Sequence, residues 1–118
     1  MSDQDVFDRK QLLTMSADDE ELAAQVAGVF LDDIPKQLTA LGEAFAQEDR
    51  EVAERVAHTI KGASATVGGE RLRAASEVGE RLAREGKMAE AEANLPEIKA
   101  RYEELRAALE QAGYTPLA

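Results

Sequence analysis

The 118-residue sequence predicts an all-α fold, an antiparallel up-and-down four-helix bundle with a short N-terminal helix capping one end. Hydrophobic residues make up 44% of the chain but aromatics only 4%, so the core must come from Leu, Val, Ile and Ala, the composition of packed helices rather than sheets. Apolar residues recur at steps of three and four over long stretches, the period of a helix with one buried face. Glycine and proline are sparse and fall mostly where helices would end, and no period of roughly 20 to 50 residues repeats. One domain covering residues 1–118 follows: a cap segment over about 6–15, the bundle over about 17–112, and a tail over 113–118.

Taken in order, Val6 to Met15 carries Val6, Phe7, Leu12 and Leu13 and reads as a short helix or turn closing one end of the core. Ser16 offers an N-cap, with Asp18, Asp19, Glu20 and Glu21 in the first turn, where the helix dipole favours negative charge. A long helix then extends to about Gln47, its stripe being Leu22, Val26, Val29, Phe30, Ile34, Leu38, Leu41 and Phe45. Pro35 predicts a kink rather than a stop, because the stripe resumes in phase after it. Asp49 caps the next helix, whose apolar positions are Val52, Val56, Ile60, Ala63 and Val67, and Gly68-Gly69 ends it. Another helix spans about Glu70 to Glu85 with Leu72, Ala75, Val78, Gly79 and Leu82 inward, Gly79 admitting a neighbouring backbone, and Gly86 closes it. The last, Met88 to Ala112, is the most regular, with Pro96 set to bend or split its first turns and Tyr114 to Ala118 left as a tail.

Charge and composition exclude several functions. A net charge of -10 lacks the basic footprint that nucleic acid or an anionic membrane requires. The absence of cysteine rules out disulfides, thiolate catalysis and the usual structural zinc, and suits a reducing cytoplasm. The acidic N-terminus is no secretory signal, and no apolar run reaches the roughly 20 residues that span a bilayer.

Chemistry centres on one histidine, in the run Ala57-His58-Thr59-Ile60-Lys61-Gly62. At about 100° per residue His58 lies roughly 160° from the centre of its helix's apolar arc and faces water. Lys61 follows one turn later on the same side, and Gly62 and Ala65 flank the ring's direction. An exposed helix face normally carries long polar side chains at such positions, and glycine within a helix costs about 1 kcal/mol relative to alanine. A surface cleared of bulk beside an imidazole suits the approach of a flat partner. A neutral histidine near pH 7 offers a ring lone pair as a nucleophile without a helper base. If it attacks a phosphoryl group, Lys61 is placed to neutralise the product, with Arg55 one turn away on the other side and partly offset by Glu51 and Glu54.

The run His58-Thr-Ile-Lys61-Gly62, with Ala63-Ser64, Gly68-Gly69 and Leu72 beyond, resembles the signature of the histidine-containing phosphotransfer (HPt) domains of bacterial multistep phosphorelays. The likeness extends to Val6-Phe7-Asp8 with Leu12-Leu13, to Asp19-Glu20-Glu21-Leu22 and to Phe30-Leu31-Asp32-Asp33-Ile34-Pro35, nearly the whole chain. It implies a carrier, not an enzyme: His58 accepts a phosphoryl group from the aspartate of one receiver domain and yields it to another. Lys61 neutralises the phosphate, and Gly62, with Ala65 and Arg55 around it, leaves room for docking. The implied partners are response-regulator receivers and a hybrid sensor histidine kinase. No cofactor is expected in this chain, the Mg²⁺ belonging to the receiver, and the carrier is expected to be a cytoplasmic monomer that stands alone, as Met1 and the lack of linker-like flanks suggest. Some members bring a polar side chain from the following helix to the phosphate. Ser76 and Glu80 lie at the right level, Ser76 as a donor and Glu80 as a repelling charge, and neither is assigned to the site.

Two rivals differ in observable ways. A histidine-kinase dimerisation hairpin usually follows its histidine with an acidic residue and Thr-Pro, a pattern that Thr59 and Gly62 break. A helical interaction bundle would bind a signalling partner through the Gly62 and Ala65 patch without phosphotransfer. A metal hydrolase is disfavoured because one histidine and no cysteine leave only carboxylates on solvated faces as further ligands.

Overall fold

The computed structural model of the chain describes residues 3–118 as an all-helical bundle, with no strand among them. Its elements are α1 (Asp3–Val6), α2 (Arg9–Met15), α3 (Glu20–Ala46), α4 (Arg50–Val67), α5 (Glu70–Arg84), α6 (Met88–Ala93) and α7 (Leu95–Gln111). α4 packs most extensively on α5 and next on α3; α5 lies on α6 and α7, α3 touches α7, and α1 and α2 cover one end.

The N-terminal segment is two helices rather than one, because Asp8 stops the first and caps the second, its carboxylate accepting from the Gln11 amide. Ser16 is not the N-cap of α3. It ends α2, fully buried, and Asp19 caps α3 with an oxygen that accepts from the amides of Glu21 and Leu22. α3 runs on through Pro35. Its buried face starts with Ala23 and Ala27 and continues through Phe30, Ile34, Leu38, Leu41 and Phe45, so Leu22 and Val29, expected inside, stand exposed. The long C-terminal helix is divided: Asn94 separates α6 from α7, with Pro96 in the first turn of α7, where its missing N–H is not needed.

The tail has no regular structure but is held down. Tyr114 is buried, its ring edge-on to Phe7 and its hydroxyl donating to Glu20 at 2.7 Å. Both the Leu117 and Ala118 amides donate to Asp32, at 3.1 Å each.

Most consequential for the site, α4 and α5 are each rotated from the expected facing. The residues buried on α4 are Ala53, Val56, Ala57, Ile60, Ser64 and Val67, an arc turned roughly 50° toward Lys61 by helical geometry. Those of α5 are Leu72, Ala75, Ser76, Gly79, Glu80 and Ala83, turned roughly 65° toward Glu80 on the same geometry, which leaves Val78 exposed. Small residues at the buried positions let the two helices approach closely, and closeness outweighs side-chain size in setting the facing. Gly79 admits side chains rather than a backbone: a β-carbon there would lie 3.2 Å from both Asn94 and Ile98.

Candidate functional site

α4 starts at Asp49, whose carboxylate accepts from the Val52 amide, and ends at Gly68 in the left-handed conformation (φ 81°). Glycine is required there twice over, since a β-carbon would also run into the Asp8 carbonyl, and the Asp8 amide donates to the Gly68 carbonyl at 2.8 Å. The turn folds α5 back beside α4 and brings residue 80 level with residue 58.

His58 faces outward, its side chain 65% exposed. Its Nδ1 lies 2.7 Å from Oε2 of Glu80, which is only 4% exposed. The other carboxylate oxygen, Oε1, holds Lys61 Nζ at 2.6 Å. Arg84 Nη2 approaches Oε2 at 3.1 Å, while its Nε donates to Glu54 at 3.1 Å. Burial pushes the Glu80 carboxyl up, but the hydrogen bonds from Lys61 and His58 and their charges outweigh it and hold the group below the usual carboxylate range. Glu80 is therefore an anion at neutral pH. Arg84 is held protonated, first by its hydrogen bond to Glu54.

The arrangement sets the tautomer. An ionised carboxylate can only accept, so a neutral His58 carries its proton on Nδ1 and leaves the lone pair on Nε2, the nitrogen on the far side of the ring from Glu80. A carboxylate on Nδ1 also stabilises the positive charge that grows when Nε2 forms a bond, as in other histidine–carboxylate pairs.

Each residue expected at the site can be placed. His58, Gly62, Ala65 and Arg55 lie on the exposed side of α4. Nothing stands within 4 Å of where a Gly62 β-carbon would be, so no contact inside the molecule calls for glycine there. Lys61 is not a free cation; it is half-buried on Glu80. Among the described residues the Arg55 guanidinium has no ion-pair partner, and Glu54, expected to offset it, is turned toward Arg84 instead. Ser76 does not reach the site: it is fully buried, and its hydroxyl has no hydrogen-bond partner among the described residues. Arg84 was missed, and Glu80 was weighed but left out of the site. Glu80 enters as the centre of the cluster rather than as a repelling charge, because Lys61 and Arg84 meet that charge. The signal available was a carboxylate bracketed by Ala75, Ser76, Gly79 and Ala83, small residues that mark a buried face.

Between α3 and α4, Val26, Val29, Phe30, Ile34, Ala63, Thr66 and Val67, with Asp33, line a shallow and mostly apolar groove of ≈ 170 Å³. No group of three or more His, Cys, Asp or Glu that could hold a metal occurs among the described residues.

The family model for the Hpt domain matches residues 25–108, a span that includes the histidine, the lysine and the glutamate. The chain belongs to the Hpt domain family. As a member it is a histidine phosphotransfer carrier of a phosphorelay. Its fold is similar to the crystal structure of histidine-containing phosphotransfer protein B (HptB) from Pseudomonas aeruginosa PAO1, with a TM-score of 0.83 and 23% identity over 90% of this chain and 92% of that one. It is also similar to the HPT domain of a sensor hybrid histidine kinase from Shewanella, with a TM-score of 0.80 and 19% identity over 93% of this chain and 95% of that one. No curated protein sequence matches at a significant level. Among the described residues no helix of this Hpt chain is long and apolar enough to cross a membrane.

Proposed function

We propose that His58 is the phospho-acceptor, taking a phosphoryl group on Nε2 from the aspartate of one receiver domain and passing it to the aspartate of another. The observation that carries this reading is an exposed imidazole whose Nδ1 is engaged 2.7 Å from a buried carboxylate, so that the free lone pair is on Nε2. In the forward step the Nε2–P bond forms as the P–O bond to the aspartate breaks and the carboxylate departs as an anion; the Nδ1 proton stays on the ring against Glu80. In the return step the ring leaves as a neutral imidazole, because Nδ1 kept its proton. Glu80 thus serves both directions, which suits a carrier better than a one-way catalyst.

Gly62, Ala65 and Arg55 form the docking surface around the ring. The receiver supplies the Mg²⁺ and the alignment for in-line transfer, and this chain supplies no cofactor and no turnover of its own. The upstream partner is a hybrid sensor histidine kinase. The long helices run up and down as an antiparallel four-helix bundle, and the whole chain acts as one cytoplasmic, monomeric Hpt module.

Incubation with each phosphorylated receiver domain of the source organism, following the label to His58, tests the reading. His58→Gln abolishes labelling while leaving the helical circular dichroism intact, since the side chain is exposed. Receiver binding without labelling of the parent would favour a pure interaction bundle; labelling of the Gln variant at the parental level would remove His58 as acceptor.

A further inference from the structure

Lys61 already has a partner. Its Nζ sits 2.6 Å from Glu80 Oε1, and Glu80, only 4% exposed, is an anion that cannot lose its counter-charge cheaply. For Lys61 to turn to a phosphoryl group on the neighbouring ring, something else must compensate Glu80.

We propose that Arg84 is that residue: when His58 is phosphorylated, Lys61 moves from Glu80 to the phosphoryl oxygens and Arg84 takes over the neutralisation of Glu80. This rests on His58 being the acceptor. Three features of the site carry it. Arg84 touches both carboxylates in the resting protein, Glu80 through Nη2 and Glu54 through Nε, and its planar fork has donors to spare. At 56% side-chain exposure it is free to slide between them, and its anchor on Glu54 keeps it within reach of the site. Lys61, by contrast, is a compact charge on a flexible stem one turn from His58 and can swing from one anion to another. A phosphoryl group bearing nearly two negative charges draws the lysine more strongly than a single carboxylate does. Without Arg84, moving Lys61 would strand a buried anion beside a second, larger one. Arg84 is thus a positioning residue that acts through Lys61 and touches neither the phosphoryl group nor the ring.

Phosphoramidate supplies the test, because it phosphorylates an accessible histidine with no receiver present and so separates this inference from receiver transfer. With the full chain, the Lys61 side-chain ε resonances are followed by NMR while phosphohistidine forms. In the parent these resonances shift on phosphorylation. In Arg84→Gln the shift shrinks and the rate of labelling falls roughly two- to fivefold, the range an exposed ion pair commands, and Arg84→Lys restores part of both. In a Glu80→Gln background, where no buried anion needs compensation, Arg84→Gln has no further effect. A Lys61 signal that stays still when the parent is phosphorylated would overturn the exchange, as would an Arg84→Gln effect that persists at full size without the Glu80 charge. Failure of every receiver to transfer to His58 would instead count against the carrier reading, whatever phosphoramidate shows.

Discussion

Glu80, on α5, places Oε2 2.7 Å from Nδ1 of His58, on α4, across a helix pair that meets through small residues. A buried carboxylate thus aims the lone pair of an exposed imidazole away from the protein. The cost of burying the charge is met locally, by Lys61 on one oxygen and Arg84 on the other. The four side chains form one connected cluster, and its properties are testable one residue at a time.

Glu80→Gln keeps the shape and removes the charge. Transfer to and from His58 should fall by roughly tenfold or more, the usual consequence of losing a carboxylate behind a functional histidine. ¹⁵N NMR of the ring should show the Nδ1–H tautomer dominant in the parent and less so in the variant. Acid titration gives a second reading. Glu80 has a folded pKa below its unfolded value, so its contribution to stability is present above the ordinary carboxylate range and is lost as pH falls through the lower folded value. The parent should therefore lose more stability on acidification below about pH 5 than Glu80→Gln does. Equal transfer rates in the two proteins would remove the carboxylate from the mechanism.

Gly62 separates stability from function. A β-carbon there meets nothing within 4 Å, so Gly62→Ala should raise stability by about 0.5–1 kcal/mol through helix propensity alone. Gly62→Gln should also stabilise the helix, yet its longer side chain stands in the path of a docking receiver and should slow transfer sharply. Thermal melts read beside transfer assays show the divergence. A Gln variant with parental transfer would mean that the receiver does not approach over this surface.

Ser76 is fully buried with no partner for its hydroxyl among the described residues. Replacing it with alanine removes an unsatisfied polar group without opening a large cavity, and should be neutral or stabilising by about 1 kcal/mol in denaturant unfolding. Transfer should be unchanged. A marked slowing with stability kept would place the hydroxyl in the site after all.

How much of this was legible in the sequence follows from which residues carry the packing. α7 was readable because Leu95, Ile98, Tyr102, Leu105 and Leu109 are large and periodic, and they are the residues buried. The same reading misplaced Leu22, Val29 and Val78, because it ranks by size while α3, α4 and α5 bury alanines, two serines and two glycines wherever helices come close. His58 survived this error because it lies almost opposite the buried arc on either facing. Glu80 did not, since a rotation of roughly 65° on the helical wheel takes it from the solvent side to the margin of the buried arc. Tyr114 was lost for another reason: a lone aromatic after a helix end has no period, and only the fold brings Phe7, Arg9 and Glu20 to it.

Tyr102 links the core to alkaline stability. Its ring is 3% exposed, tilted against Phe30 with centroids 6.0 Å apart, and burial, followed by the charge of Glu103, pushes the phenol up to about 12. A folded pKa above the unfolded value of 10.0 means that the folded protein binds the proton more tightly. The associated stability is complete below pH 10 and is lost as pH rises from there toward 12. The loss for a buried group shifted this far is on the order of 2 kcal/mol. Tyr102→Phe keeps the packing and removes the titration, so the parent and variant melting curves should run closer together, or cross, as pH rises through this range. Denaturant unfolding at pH 8 and pH 11 is the direct comparison, with the parent losing more stability than the variant between the two. Equal losses would show that Tyr102 ionises as easily in the folded chain as in the unfolded one, and that the α3–α7 contact is open to water.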